Sequence, residues 1–213
     1  MPPELGLRER KKERTRLQIA ETARRLFSER GFDAITVGQI AKEADVSEAT
    51  VFNYFPTKQD LFFSGMEAFE EMLVEAVRER PAGETVLRAF RRFVVENTKR
   101  LADLQAADLT TTATRILATS PVLRAREREI VSRYAESLAA LIAEETGASR
   151  DDVEAQAVAN ALMGAQRALV ANVRGRVLDG WRGPKLAAHA RTQAKRALGR
   201  LESGLGDYAP KRG

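Results

Sequence analysis

Six cations, Arg8, Arg10, Lys11, Lys12, Arg14 and Arg16, fall within nine residues near the start of the chain, and their chemistry is to neutralise phosphates. A flexible basic arm of this kind can follow a nucleic-acid backbone or enter a minor groove. Diluted by Glu9 and Glu13, it can equally be a solvated start that contacts nothing. Bond-breaking chemistry has little to work with. The chain has no cysteine, hence no disulfide, thiolate metal site or cysteine nucleophile. Its one histidine, His189, sits between Ala188 and Ala190 with no nucleophile motif, glycine-rich phosphate loop or metal-ligand spacing around it. The residues predict a binding protein: no enzyme, no cofactor, no metal.

With 213 residues, 44% hydrophobic and 31% charged, the chain is long enough for one large domain or a small module on a larger one. A net charge of +5 agrees with a polyanionic partner without requiring one. Met1 to Gly6 lead into charge and not into an apolar signal core, and no stretch is apolar enough to span a bilayer, so the expected location is the cytoplasm, with no membrane partner.

The elements that must position any site are helices throughout; alternating β-branched runs are absent, and the fold class is all-α. Ile19, Ala23, Leu26 and Phe27 mark a first helix stopped by Gly31. Thr36 caps a second with inner face Val37, Ile40, Ala41 and Ala44, and Ser47 caps a third running to about Phe55. Pro56 blocks continuation, and the capping box Thr57/Asp60 predicts one long fourth helix through Phe62, Met66, Phe69 and Leu73, ended by Pro81 and Gly83. Val86, Phe90, Phe93 and Val94 mark the next. Ser120 and Pro121 open a long helix to about Thr146 whose inner stripe includes Leu123, Ile130, Tyr134, Leu138 and Ile142. Gly147 stops it, Ser149 and Asp152 form a second capping box, and an alanine-rich helix follows over about 151–173. Gly175, Gly180, Gly183 and Pro184 predict a loop before a last helix to about Leu205.

The second and third helices, joined by Asp45 and Val46, have the layout of a helix-turn-helix, and aspartate tolerates the left-handed backbone such a turn needs. Thr36, Ile40-Ala41, Ala44-Asp45-Val46-Ser47, Thr50-Val51-Phe52-Asn53-Tyr54-Phe55, Lys58 and Leu61, in that order, resemble the signature of the TetR family of one-component transcriptional regulators. The resemblance covers roughly Thr15 to Leu61; beyond it only length and helical plan agree. It divides the chain into a DNA-binding domain, 1–57 (basic arm 1–16), and a helical ligand-binding and dimerisation domain, 58–213. It implies that Glu48, Ala49 and Phe52 face base edges, Ala49 or Phe52 meeting a thymine methyl. It implies that Thr36, Ser47, Thr50, Asn53, Tyr54 and Lys58 hold phosphates through hydroxyl, amide and ammonium groups, and it counts Val37 among the DNA-binding residues. Two residues depart from the family pattern: Asp45 stands at the turn position usually held by glycine, and Gly38 offers no side chain where some members touch DNA. Glu48 is itself unusual, since a carboxylate repels a polyanion unless it accepts from a cytosine amino group. The implied function is a repressor released from a palindromic operator by a small molecule.

In the last helix Ala187, Ala190, Ala194, Ala197, Leu198, Leu201 and Leu205 line one seam. In the preceding helix Ala157, Ala161, Gly164, Ala165 and Ala168 are small enough for close approach. Two copies can close a four-helix interface there, or both helices can bury against their own domain. A homodimer suits a palindromic site, its reading helices about 34–36 Å apart. Candidate lining for an effector pocket is Phe62, Met66, Phe69, Phe90, Phe93, Thr112, Ile116, Tyr134, Met163 and Gln166. The same residues at helical spacing also make a plain core. Thr110, Thr111, Thr112 and Thr114 can bend a helix or offer hydroxyls. The alternative to a regulator is a helical scaffold with Trp181 as an anchor for a protein partner.

Overall fold

The structure, a computed structural model, describes residues 6–205 and 208. Among them there are helices and no β-strand. Helix α1, Leu7–Arg30, starts well before the expected position, so the cations from Arg8 to Arg16 form helix and not a flexible arm; the arm's first five positions lie outside the described residues. The reason is local. Arg, Lys and Glu are good helix formers, Glu9 accepts from the Gly6 N–H at 3.2 Å, and Glu13 pairs with Arg16 at 3.2 Å.

Helix α2, Val37–Glu43, and α3, Glu48–Tyr54, complete the N-terminal head. Ile19, Ala23, Leu26, Phe27, Ile35, Ile40, Val51 and Phe55 make its core. The turn between α2 and α3 closes by the Val46 N–H donating to Ala41 O at 3.0 Å, and Asp45 takes the left-handed backbone, φ 53°, expected of it. Gln18 of α1 donates to Ala44 O at 2.9 Å, tying the first helix to that turn.

The single long fourth helix expected from the apolar spacing is two helices, α4 (Lys58–Phe62) and α5 (Met66–Arg78). Ser64 and Gly65 interrupt it, both weak helix formers; the Phe63 N–H closes α4 on Gln59 O and the Met66 N–H then opens a new turn on Phe63 O. The break lets Phe62 stand 6.3 Å from Phe27 and 6.0 Å from Phe32 while Phe63 enters the core.

The larger part comprises α6 (Val86–Asn97), a 3₁₀ turn (Thr98–Ala102), α7 (Leu104–Thr119), α8 (Pro121–Thr146), α9 (Val153–Leu178), α10 (Gly183–Gly199) and α11 (Glu202–Leu205). Helices α8 and α9 pack along each other, and α10 lies across α9, α6 and the 3₁₀ turn. Ser120 caps α8, and Gly147 at φ 72° ends it, as their types require. The second cap differs from expectation: Asp152 alone caps α9, accepting from the Ala155 N–H at 2.8 Å, while the Ser149 hydroxyl donates to Asp151. Helix α9 runs through Gly175, whose helical cost the surrounding turns absorb, and the chain reverses at Gly180, φ 83°. The last helix breaks after Gly199. The threonines at 110–114 stay helical, Thr111 and Thr114 buried. Buried Arg80 joins the α5–α6 loop to α8, donating to Glu145 Oε1 at 3.0 Å and to the carbonyls of Val77 and Glu84.

Candidate nucleic-acid interface

Seven residues of α3 present two faces. Val51 is sealed in the head's core, with Phe55 just beyond, whereas Glu48, Ala49, Phe52 and Asn53 are exposed, Phe52 at 46%. A phenylalanine left in water on a seven-residue helix is costly unless something covers it. Ser47 starts the helix by accepting from the Thr50 N–H at 3.0 Å, and the two hydroxyls lie 2.8 Å apart, one edge of a polar rim. Thr36 begins α2 in the same manner: it accepts from the Gln39 N–H at 3.2 Å, and its own N–H donates to Gln39 Oε1 at 2.8 Å. Thr57 and Asp60 form the box that opens α4.

Val37 and Tyr54 are half-buried against the core, so their reach outward is partial. Lys58 is held over the Phe32 ring, Nζ 4.3 Å from the centroid, and burial of the ammonium lowers its pKa. Thr36, Ser47, Thr50, Asn53 and Lys58 thus carry hydroxyl, amide and ammonium donors within α3 and at the starts of α2, α3 and α4. One contact was not legible in the sequence: a β-carbon built on Gly38 would fall 2.5 Å from Glu48 Oε1, so α3's first carboxylate occupies the space above α2 that any side chain at 38 would take.

The residues expected to line an effector pocket take several kinds of position. Phe90, Tyr134 and Met163 are core, the Tyr134 hydroxyl donating to Met66 O. The Phe69 ring meets Phe93 edge-on, centroids 5.3 Å apart. Gln166 leaves its buried Oε1 without a partner. Phe62, Thr112 and Ile116 do meet, in a cleft of about 260 Å³ between α1, α4 and α7 that Arg24, Phe27, Ser28, Thr110 and Ala113 complete. Phe27 there belongs to the head's core and Ile116 to the larger part, so the cleft straddles both.

The expected dimer seam is corrected by burial. Ala190, Ala194 and Leu198 of α10 are sealed inside the chain, where α10 fills the groove formed by α6, α9 and the 3₁₀ turn; Leu201 packs on the same core and Ala197 is half-buried. On α9, Ala165 packs inward, but Ala157 and Ala168 are exposed, Ala161 half so, and a β-carbon at Gly164 would meet open space. The outer faces of α9 and α10 are joined by the His189 ring nitrogen and Asn172 Oδ1, 2.8 Å apart.

A capped, two-faced third helix set on a left-handed turn defines a helix-turn-helix protein. Residues 19–64 match the family model for bacterial regulatory proteins of the tetR family, and residues 84–176 match that for the MftR C-terminal domain. The chain belongs to the TetR family of regulators. It is 39% identical over 84 residues to the HTH-type transcriptional regulator TcmR of Streptomyces glaucescens, a match covering 39% of this chain and 37% of that protein. The chain thus spans little more than a third of that relative's length. Among solved structures, a TetR-family regulator from Mesorhizobium loti superposes with a TM-score of 0.56 at 17% identity, covering 90% of this chain and 96% of that one. FadR from Bacillus subtilis, in complex with stearoyl-CoA, does so with 0.53 at 22%, covering 85% and 97%. Among the described residues, no helix is long and apolar enough to cross a membrane.

Proposed function

We propose that this protein is a sequence-specific, DNA-binding transcriptional regulator of the cytoplasm, acting as a homodimer that represses from a palindromic operator and is released by a small-molecule effector. The observation that carries the reading is the α3 face: Ala49, Phe52 and Asn53 exposed on a helix whose opposite side, Val51, is sealed in the head. Ala49 and Phe52 offer apolar contact to thymine methyls, and Ser47, Thr50, Asn53, Thr36 and Lys58 hold phosphates on either side. Relatives named as transcriptional regulators support it.

The dimer face we assign is the outer side of α9, through Ala157, Ala161, Gly164 and Ala168, where small residues admit a close helix. An isologous dimer that reads a palindrome needs its two heads about one turn of B-DNA apart. An effector in the cleft by Phe62, Thr112 and Ile116 would touch head and sensor together, and so bias their relative orientation.

The test is a gel shift and footprint on DNA upstream of the protein's own gene, with excess competitor, comparing wild type with Thr50→Ala and Tyr54→Ala. A protected palindrome, lost in both variants, is expected. Absence of any salt-sensitive protection counts against a regulator of that gene.

A further inference from the structure

Two oddities of the reading head, a glycine where a contact is expected and a carboxylate where the partner is anionic, are one feature. The Glu48 carboxylate lies where a side chain at 38 would be: a β-carbon there would come 2.5 Å from Oε1 and 3.3 Å from Cδ. Among the described residues it has no hydrogen bond or ion pair, so both oxygens keep their lone pairs unspent. It is exposed on the same turn as Ala49 and Phe52, at the i+4 spacing that sets Glu48 beside Phe52.

We infer that Glu48, seated over Gly38, is a specificity-determining acceptor that reads the amino group of one cytosine in each operator half-site. The inference rests on the proposed DNA-binding function. A carboxylate is acceptor-only, and the major groove offers it two amino donors, cytosine N4 and adenine N6. Adenine sets its N7 acceptor beside N6, facing the second carboxylate oxygen with another lone pair; cytosine has no acceptor on that edge. At any base without a donor Glu48 contributes only repulsion from phosphates, which makes it a filter against other sequences as well as a contact. Gly38 leaves the space that lets the carboxylate settle against α2; an alanine there must push it aside, at little cost to the fold because the end of a glutamate is flexible.

Glu48 also stands in the first turn of α3, where an acidic residue stabilises a helix by itself. The experiment must therefore separate stability from readout. Binding-site selection from a random library, followed by affinities on a panel of single-base replacements, is to be run on wild type, Glu48→Ala and Gly38→Ala, with a melting temperature for each. Wild type is expected to select one C·G pair per half-site and to lose about tenfold to a hundredfold when it is replaced. Glu48→Ala should tolerate all four pairs at that position within about threefold while keeping discrimination elsewhere, and Gly38→Ala should fall between. A purely structural Glu48 would lower the melting temperature and scale every affinity alike, and that result overturns the inference. So does a selected palindrome read equally at every position by wild type and Glu48→Ala, which leaves the regulator reading intact. Selection of no common sequence by wild type overturns both.

Discussion

Arg126 of α8 donates to Asp60 Oδ1 from Nε at 3.0 Å and from Nη2 at 2.7 Å, while the other oxygen of that carboxylate accepts from the Thr57 N–H and hydroxyl. One aspartate thus caps the helix that leaves the reading head and fastens that helix to the larger part. The pair is partly shielded, with Arg126 29% and Asp60 12% exposed. Asp60→Ala removes cap and ion pair together and should cost about 2 kcal/mol in urea denaturation, while Arg126→Ala should cost about 1 kcal/mol. A double-mutant cycle should return a coupling of about 0.5–1 kcal/mol; strict additivity would mean the tie is idle.

Asp45 holds φ 53° in the turn between α2 and α3. A β-branched residue there meets its Cβ clash in full, so Asp45→Val should destabilise by roughly 2 kcal/mol, whereas Asp45→Gly should stay within about 1 kcal/mol of wild type. Both are read by thermal unfolding. An unchanged melting temperature for Asp45→Val would show that the turn relaxes to another backbone.

Ala168 and Ala194 separate the two seams. Ala194 is fully buried in its own chain and Ala168 is exposed. Ala168→Glu should leave a folded protein of unchanged helical content that sediments as a monomer, because it places like charges across a two-fold contact. Ala194→Glu should lose the fold, since it buries an unpaired charge. A dimer surviving Ala168→Glu would move the interface elsewhere.

Lys58 reaches the surface beside the N-terminus of α4 with its ammonium over Phe32. As a phosphate contact, Lys58→Ala should weaken every DNA sequence by a similar factor and reduce the slope of log affinity against log salt by about one. Fluorescence anisotropy across a salt series measures it. A change confined to one base position would instead make Lys58 a reader.

Fold class, the caps at Thr36, Ser47, Thr57 and Ser120, the left-handed stops and the turn at Asp45 were all legible in the sequence. Each is decided within four or five residues, by a side chain bonding its own backbone or by the geometry a Cβ allows. The outward position of Phe52 was legible only through the family resemblance, because Val51 and Phe52 are both apolar and a helix sets neighbours only about 100° apart. The helical extension of α1 through Arg8–Arg16 lies in the propensities of Arg, Lys and Glu, which hold whatever their charges meet.

What needed the tertiary structure was every question of which of two apolar surfaces a helix turns toward. Ala190, Ala194 and Leu198 carry the same alanine–leucine pattern whether they meet a second copy or, as they do, the groove on α6, α9 and the 3₁₀ turn. Burial depends on elements far away in the chain, and periodicity reports only that a face is apolar. The same holds for Phe62, Thr112 and Ile116, which gather across α4 and α7 while Phe90 and Met163 do not, and for Glu48 over Gly38, two residues whose proximity is set by the angle between α2 and α3. Local conformations, and with them the helix-turn-helix, are set by neighbours in sequence; which side chains stay exposed is set by long-range packing.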